Sequence, residues 1–206
     1  MALLEDLLKL ADDSGRGPPP SFNRPILLLA FLLIGDSGVI GRQALAARSG
    51  LGEGATRTIL RKLKGRRLTS TSASGVSLTG AGRQTYDSIR ETLSGFASLH
   101  GSHLSLGRSQ VAAVVRGRAA SVKGGIEQRD SAIKAGASGA TTYVFERGKF
   151  AIPGGSRDCE ADFPSASWKK LRKSLSPRDG DAIVLCGAEL EHVAVLGALA
   201  ASLSLL

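Results

Sequence analysis

Cysteine is nearly missing from this 206-residue chain: Cys159 and Cys186 are the two it has. They are too few for a disulfide framework and lack the spacing of a metal site, which predicts a protein of a reducing cytoplasm. A single bridge between them is the one covalent link left open. Long apolar runs are missing as well. "PILLLAFLLI", Pro25 to Ile34, is about half of the roughly twenty residues a bilayer span requires, so it predicts a buried helix and no membrane partner. The start, "MALLEDLLKLADD", carries acids where a secretory signal carries cations, and no cleavage pattern follows, so no export is expected. G-x-x-x-x-G-K-[ST], G-x-G-x-x-G, G-x-S-x-G and H-E-x-x-H are all absent. The phosphate-cradle, dinucleotide, serine-hydrolase and zincin readings therefore lack their local signatures, and neither a cofactor nor a catalytic residue is assigned. His100 and His103 stand three apart, but in a Gly/Ser stretch without a third ligand nearby, so no metal is expected.

Acids are missing from one stretch in particular. The chain has 27 Lys plus Arg against 18 Asp plus Glu, a net charge of +9. Between Gly41 and Gly75, Arg42, Arg48, Arg57, Arg61, Lys62, Lys64, Arg66 and Arg67 face Glu53 alone. The basicity is therefore a patch, which favours a polyanionic partner.

That patch belongs to a readable succession of elements. A short amphipathic start at Leu3 to Leu10 leads into "DDSGRGPPPSFNRP", which resists helix through its prolines, and the two together predict an N-terminal arm or linker over residues 1–21. From Asn23 the apolar run forms a helix ending near Gly35. "VIGRQALAARSGLG" then gives a short extended piece and a helix with Ala44, Leu45 and Ala47 inward, closed by Gly50. In "GEGATRTILRKLKGRR" one stripe, Ala55 or Thr56 with Ile59, Leu60 and Leu63, points to the core. Arg57, Arg61 and Lys64 line another face. "RLTSTSASGVSL" reads as a hairpin, and Thr79 caps a helix running through Tyr86 and Ile89 to about Leu93.

Helix, helix, tight turn, basic helix, hairpin, helix resembles a winged helix-turn-helix domain over residues 22–98, most specifically in "LAARSGLGEGATRTILRKL" and "SLTGAGRQTYDSI". Leu78, Thr79 and Gly82 stand at the family's Leu-Thr-x-x-Gly step. Arg67 departs from it, because the family has Gly directly before the Leu that starts the hairpin. The resemblance implies that the basic helix enters a major groove of double-stranded DNA. Gly54 and Ala55 at its bare tip would let backbone approach phosphate. Glu53, Thr56 if it turns outward, Arg57, Thr58 and Arg61 would lie nearest base edges, Arg57 being suited to bidentate contact with guanine. Arg42, Arg48, Lys62, Lys64, Arg66 and Arg67 would hold phosphates. The wing, Thr69 to Ser77, has hydroxyls but no cation at its tip.

The chain changes character after "SGFASLHGSHLSLGRS", a small, polar stretch that predicts a domain boundary. Over residues 105–206, "QVAAVVRG", "ATTYVFERGKFAIPG" and "DAIVLCGA" read as strands, with helices at "GGIEQRDSAIKAG", "PSASWKKLRKSL" and the closing "ELEHVAVLGALAASLSLL". Strands alternating with helices predict a small α/β domain with a mixed, partly parallel sheet following the α+β head. At "VKGGIEQRD", Lys123, Gly124, Gly125, Glu127, Arg129 and Asp130 surround a helix start whose free amides suit a small anionic effector. The last helix is apolar nearly all round, so it is either sandwiched within its own domain or shared with a second copy. A winged head before "GGIEQRDSAIKAGA" and "DAIVLCGA" resembles an uncharacterised archaeal family.

Three functions compete at this point. One is a dimeric transcription regulator modulated by a small ligand. The second is a metabolic enzyme domain fused to a winged head, and the third is a protein-interaction module without sequence-specific DNA binding.

Overall fold

The computed structural model describes residues 2–13, 22–100 and 104–206, with His100 described in its backbone only. The chain divides into two compact units, residues 1–89 and 90–206.

Unit 1 begins with α1 (Ala2–Asp12), whose Leu4, Leu7, Leu8, Leu10 and Ala11 are buried. It packs on α2 (Arg24–Ser37), and Arg24 donates to Asp12 at 2.6–3.2 Å. The first half of the stretch read as an arm is thus a packed helix, because five leucines on eleven residues, four of them buried, make a face that must be covered. The proline run of that stretch lies outside the described residues. Asn23 caps α2 by accepting from the Ile26 amide at 3.2 Å. The apolar run of α2 is buried almost throughout, against α1, α3 and the strands. Among the described residues no helix is long and apolar enough to cross a membrane.

After β1 (Val39–Ile40) come α3 (Arg42–Ser49) and α4 (Glu53–Gly65). Leu45, Ala46 and Ser49 of α3 are inward, whereas Ala44 and Ala47 are exposed, a rotation of the expected face. β2 (Thr69–Ser72) and β3 (Gly75–Leu78) form an antiparallel hairpin, and β1 adds to β3. α5 (Gly80–Thr92) follows. Thr79 Oγ1 accepts from the Gly82 amide at 3.0 Å, the cap the sequence implies. This is the expected order of a winged helix-turn-helix, preceded by one extra helix.

Unit 2 is built on one five-stranded sheet, order β4-β5-β8-β6-β7, from β4 (Leu93–His100), β5 (Ser109–Val115), β6 (Gly139–Glu146), β7 (Lys149–Ala151) and β8 (Asp181–Ala188). Residues 94–100 of the stretch read as a domain linker belong to strand β4, which pairs with β5. Its small, polar composition hid an edge strand with the apolar positions Leu93, Ala97 and Leu99 turned inward. The helices are α6 (Ile126–Lys134), α7 (Cys159–Asp162), α8 (Ala166–Leu175) and α9 (Glu191–Leu203).

Every pairing in the sheet is antiparallel, which corrects the mixed sheet expected from the sequence. β5 and β6 do run in the same direction across the α6 crossover, but β8 inserts between them and pairs with both. Continuous apolar strands signal burial on both faces, which parallel sheets usually have. Here an antiparallel sheet has it too. Ala112, Val114, Tyr143, Phe145, Ile183 and Leu185 pack with Trp168, Leu171 and Leu175 of α8 on one side. α6 and α9 lie against the sheet on the other side. The apolar α9 is therefore sandwiched within its own unit, with Ala194 and residues 197–202 buried. Cys159 belongs to the cluster beneath α8, while Cys186, next to Leu185, faces α9 beside Gly197. Both thiols are free, so no bridge forms.

Candidate nucleic-acid interface

The basic helix is set by its two ends. Gly50, in the left-handed region, ends α3, and the Leu51 amide reaches back to the Ala46 carbonyl at 3.0 Å. Gly52 then opens α4 without a side-chain cap. Thr56 is fully buried, and its hydroxyl donates to the Gly52 carbonyl at 3.1 Å, so it belongs to the core stripe with Ile59 and Leu63. At the far end the Leu68 amide donates to Leu63 O and the Arg67 amide to Lys64 O. That pair of bonds closes a helix around a left-handed residue, and the left-handed residue is Arg67, with φ 57°. An arginine thus occupies a backbone conformation that favours glycine.

Arg42, Arg57, Arg61 and Lys64 line an open groove of about 520 Å³ together with residues 71–75 of the wing. All four are exposed. Among the described residues none of the four has an ion-pair or hydrogen-bond partner through its side chain. No acid lines the groove. Leu60 and Val76 form its floor, a contribution the sequence reading missed because Leu60 had been given wholly to the core. The wing offers hydroxyls that bond to each other, Ser70 to Ser77 at 3.1 Å and Ser72 to Ser74 at 2.8 Å.

The remaining predicted contacts separate from this groove. Glu53 and Gly54 are exposed at the front of α4, with Ala55 half-buried behind them. Thr58 donates its hydroxyl to the Gly54 carbonyl at 3.1 Å, leaving only acceptor capacity outward. Arg48 Nη1 donates to Ser37 Oγ at 2.8 Å, toward the end of α2. Lys62 is turned away: half-buried, its Nζ donates to the Asp13 carbonyl at 2.5 Å and lies 3.9 Å from the Asp13 carboxylate. Arg66 stands close enough to Asp6 to help lower that carboxyl, after the larger effect of Lys9. Lys62 therefore faces Asp13, just past the end of α1, and Arg66 faces Asp6 within it, roles that depend on where α1 packs.

In unit 2, Lys123, Gly125, Glu127 and Gln128 surround a hollow of about 260 Å³ at the start of α6. Gly124 and Gly125 both take positive φ, and α6 has no side-chain cap. Arg129 and Asp130 do not join them: they pair with each other at 3.3 Å, both half-exposed. Of the two histidines considered, His103 lies outside the described residues. Among the described residues no group of three His, Cys, Asp or Glu gathers for a metal ion.

Residues 106–205 match the model of a domain of unknown function, DUF4443. A hypothetical protein from Pyrococcus horikoshii OT3 is similar in structure, with a TM-score of 0.70 and 26% sequence identity over 88% of this chain and 91% of that one. A MarR family protein of Mycobacterium tuberculosis aligns at a TM-score of 0.31 and 18% identity, over 44% of this chain and 63% of that one. None of the curated proteins matches. The similarity to the Pyrococcus protein thus extends through both units.

Proposed function

We propose that this protein is a DNA-binding transcription regulator that reads duplex DNA with α4 and acts as a homodimer, with unit 2 serving for dimerisation and for a small effector rather than for catalysis. The observation that carries the reading is the groove between α4 and the wing, lined by four cations that have no side-chain partner among the described residues, and by no described acid. Counterion release from phosphate rewards that arrangement, and among the described residues no partner competes for it. In this reading Arg57 and Arg61, one turn apart on the exposed face, reach base edges, and Arg42 and Lys64 hold phosphates on either side. A two-fold dimer would place its two heads about one helical turn of DNA apart, on a palindromic site.

Selection of bound sequences from random duplexes tests this. A regulator enriches one motif with two-fold symmetry. Recovery of an unenriched pool would favour the interaction-module alternative and reject sequence reading.

A further inference from the structure

Unit 2 carries a second cleft, of about 490 Å³, where α5 ends, β4 starts, β5 ends and β8 begins. Part of its charge is already spent. Arg116 donates to the carbonyls of Leu175 and Ser176, each at 3.1 Å, and to Asp181 at 2.5 Å. Asp181, 3% exposed, also accepts from the amides of Gly117 at 3.0 Å and Arg178 at 2.8 Å. Those bonds form a closed strut between three chain segments, and its two charges cancel.

Charge of both signs remains in the cleft, which Arg90 also lines, its guanidinium engaged over the Phe96 ring at 5.6 Å. The guanidinium of Arg178 and the carboxylate of Glu91, both exposed, have no side-chain partner among the described residues. Asp179 spends one oxygen on the Gly148 amide at 2.9 Å and keeps the other. The hydroxyl of Ser94 is buried without a hydrogen-bond partner, at the point where the β4–β5 register shifts. Such bulges often re-aim a side chain beside a functional site. An unbonded buried hydroxyl is also destabilising, and a ligand oxygen reaching it would supply the missing partner.

We propose that this cleft binds a small zwitterion of the α-amino acid type, with its carboxylate on Arg178 and the Ser94 hydroxyl and its ammonium on Glu91 and Asp179. Charge decides the class. A plain anion would confront Glu91 and Asp179, and a plain amine would confront Arg178, whereas a ligand bearing both signs leaves neither unpaired. The cleft volume lies in the range of about 300–1,000 Å³ usual for small-molecule sites. The inference rests on the effector part of the proposed function and is independent of how DNA is read.

The test is calorimetric titration of the full chain, without DNA, with the standard L-α-amino acids one at a time. Inorganic phosphate and methylamine serve as single-charge controls. At least one amino acid is expected to bind, and Arg178→Ala and Glu91→Gln, both at exposed positions, are each expected to weaken it about tenfold or more. The unfolding midpoint of the ligand-free protein stays unchanged in both variants. Absence of binding by every amino acid at millimolar concentration, or wild-type affinity in both variants, overturns the proposal. Phosphate binding as tightly as the best amino acid also overturns it, in favour of a simple anion site. Amino-acid binding by a protein that fails to select a DNA motif would reject the DNA reading alone.

Discussion

At the scale of single residues, two backbone positions around the wing carry opposite expectations. Gly82 lies so close to the start of the hairpin that a Cβ there would stand 1.9 Å from the Leu68 carbonyl oxygen. Backbone on both sides cannot yield cheaply, so Gly82→Ala is expected to destabilise unit 1 by about 1–3 kcal/mol or more, read by denaturant unfolding. Loss of less than a few tenths would contradict the packing described. Arg67 is the reverse case. A side chain in the left-handed region costs about 1–2 kcal/mol, so Arg67→Gly is expected to raise stability by about 1 kcal/mol in the same assay. The Leu-Thr-x-x-Gly step was legible in the sequence because Gly82 is required by a contact that recurs wherever hairpin and helix meet this closely. The conformation of Arg67 was not legible, since nothing in an arginine signals positive φ.

At the scale of elements, α4 separates cations that face outward from one that is already engaged. Arg57→Ala is expected to lose about 1–3 kcal/mol of duplex affinity and to relax preference at particular base positions. Lys62→Ala is expected to leave duplex affinity nearly unchanged, because Lys62 Nζ is held by Asp13. Equal losses in the two variants, measured by fluorescence titration with one duplex, would contradict the placement of α4. The helix's periodicity revealed its buried stripe, but only the position of α1 decides which exposed cation is free. α1 itself is held to α2 in part by Asp12, whose carboxyl Arg24 keeps below its ordinary value of 3.8. That contribution is present above the ordinary value and is lost as pH falls through the lowered one. Both side chains are about half exposed, so Asp12→Asn is expected to cost no more than about 1 kcal/mol near neutrality. The gap between wild type and variant should close in strong acid, and a gap that widens there would reverse the assigned sign.

At the scale of the whole molecule, the elements of unit 1 followed from local signals: caps, turn glycines and the 3.6-residue period. Those of unit 2 followed less far. Apolar runs located its strands, but strand order depends on which segment enters beside β5, and β8, nearly seventy residues after it, is the one that does. Sequence periodicity carries no information at that range. β4 was read as a linker for a related reason: an edge strand of small and polar residues owes its conformation to pairing with β5 rather than to propensity. The central claim, that the groove between α4 and the wing is where the protein meets nucleic acid, is tested most directly by the salt dependence of duplex binding. Wild type would be compared with a variant carrying Arg42→Ala, Arg57→Ala, Arg61→Ala and Lys64→Ala together. With about 0.9 unit of logarithmic slope for each phosphate neutralised, the variant's slope is predicted to be shallower by about two to four. A slope equal to that of the wild type would contradict the account and move the nucleic-acid surface elsewhere on the molecule.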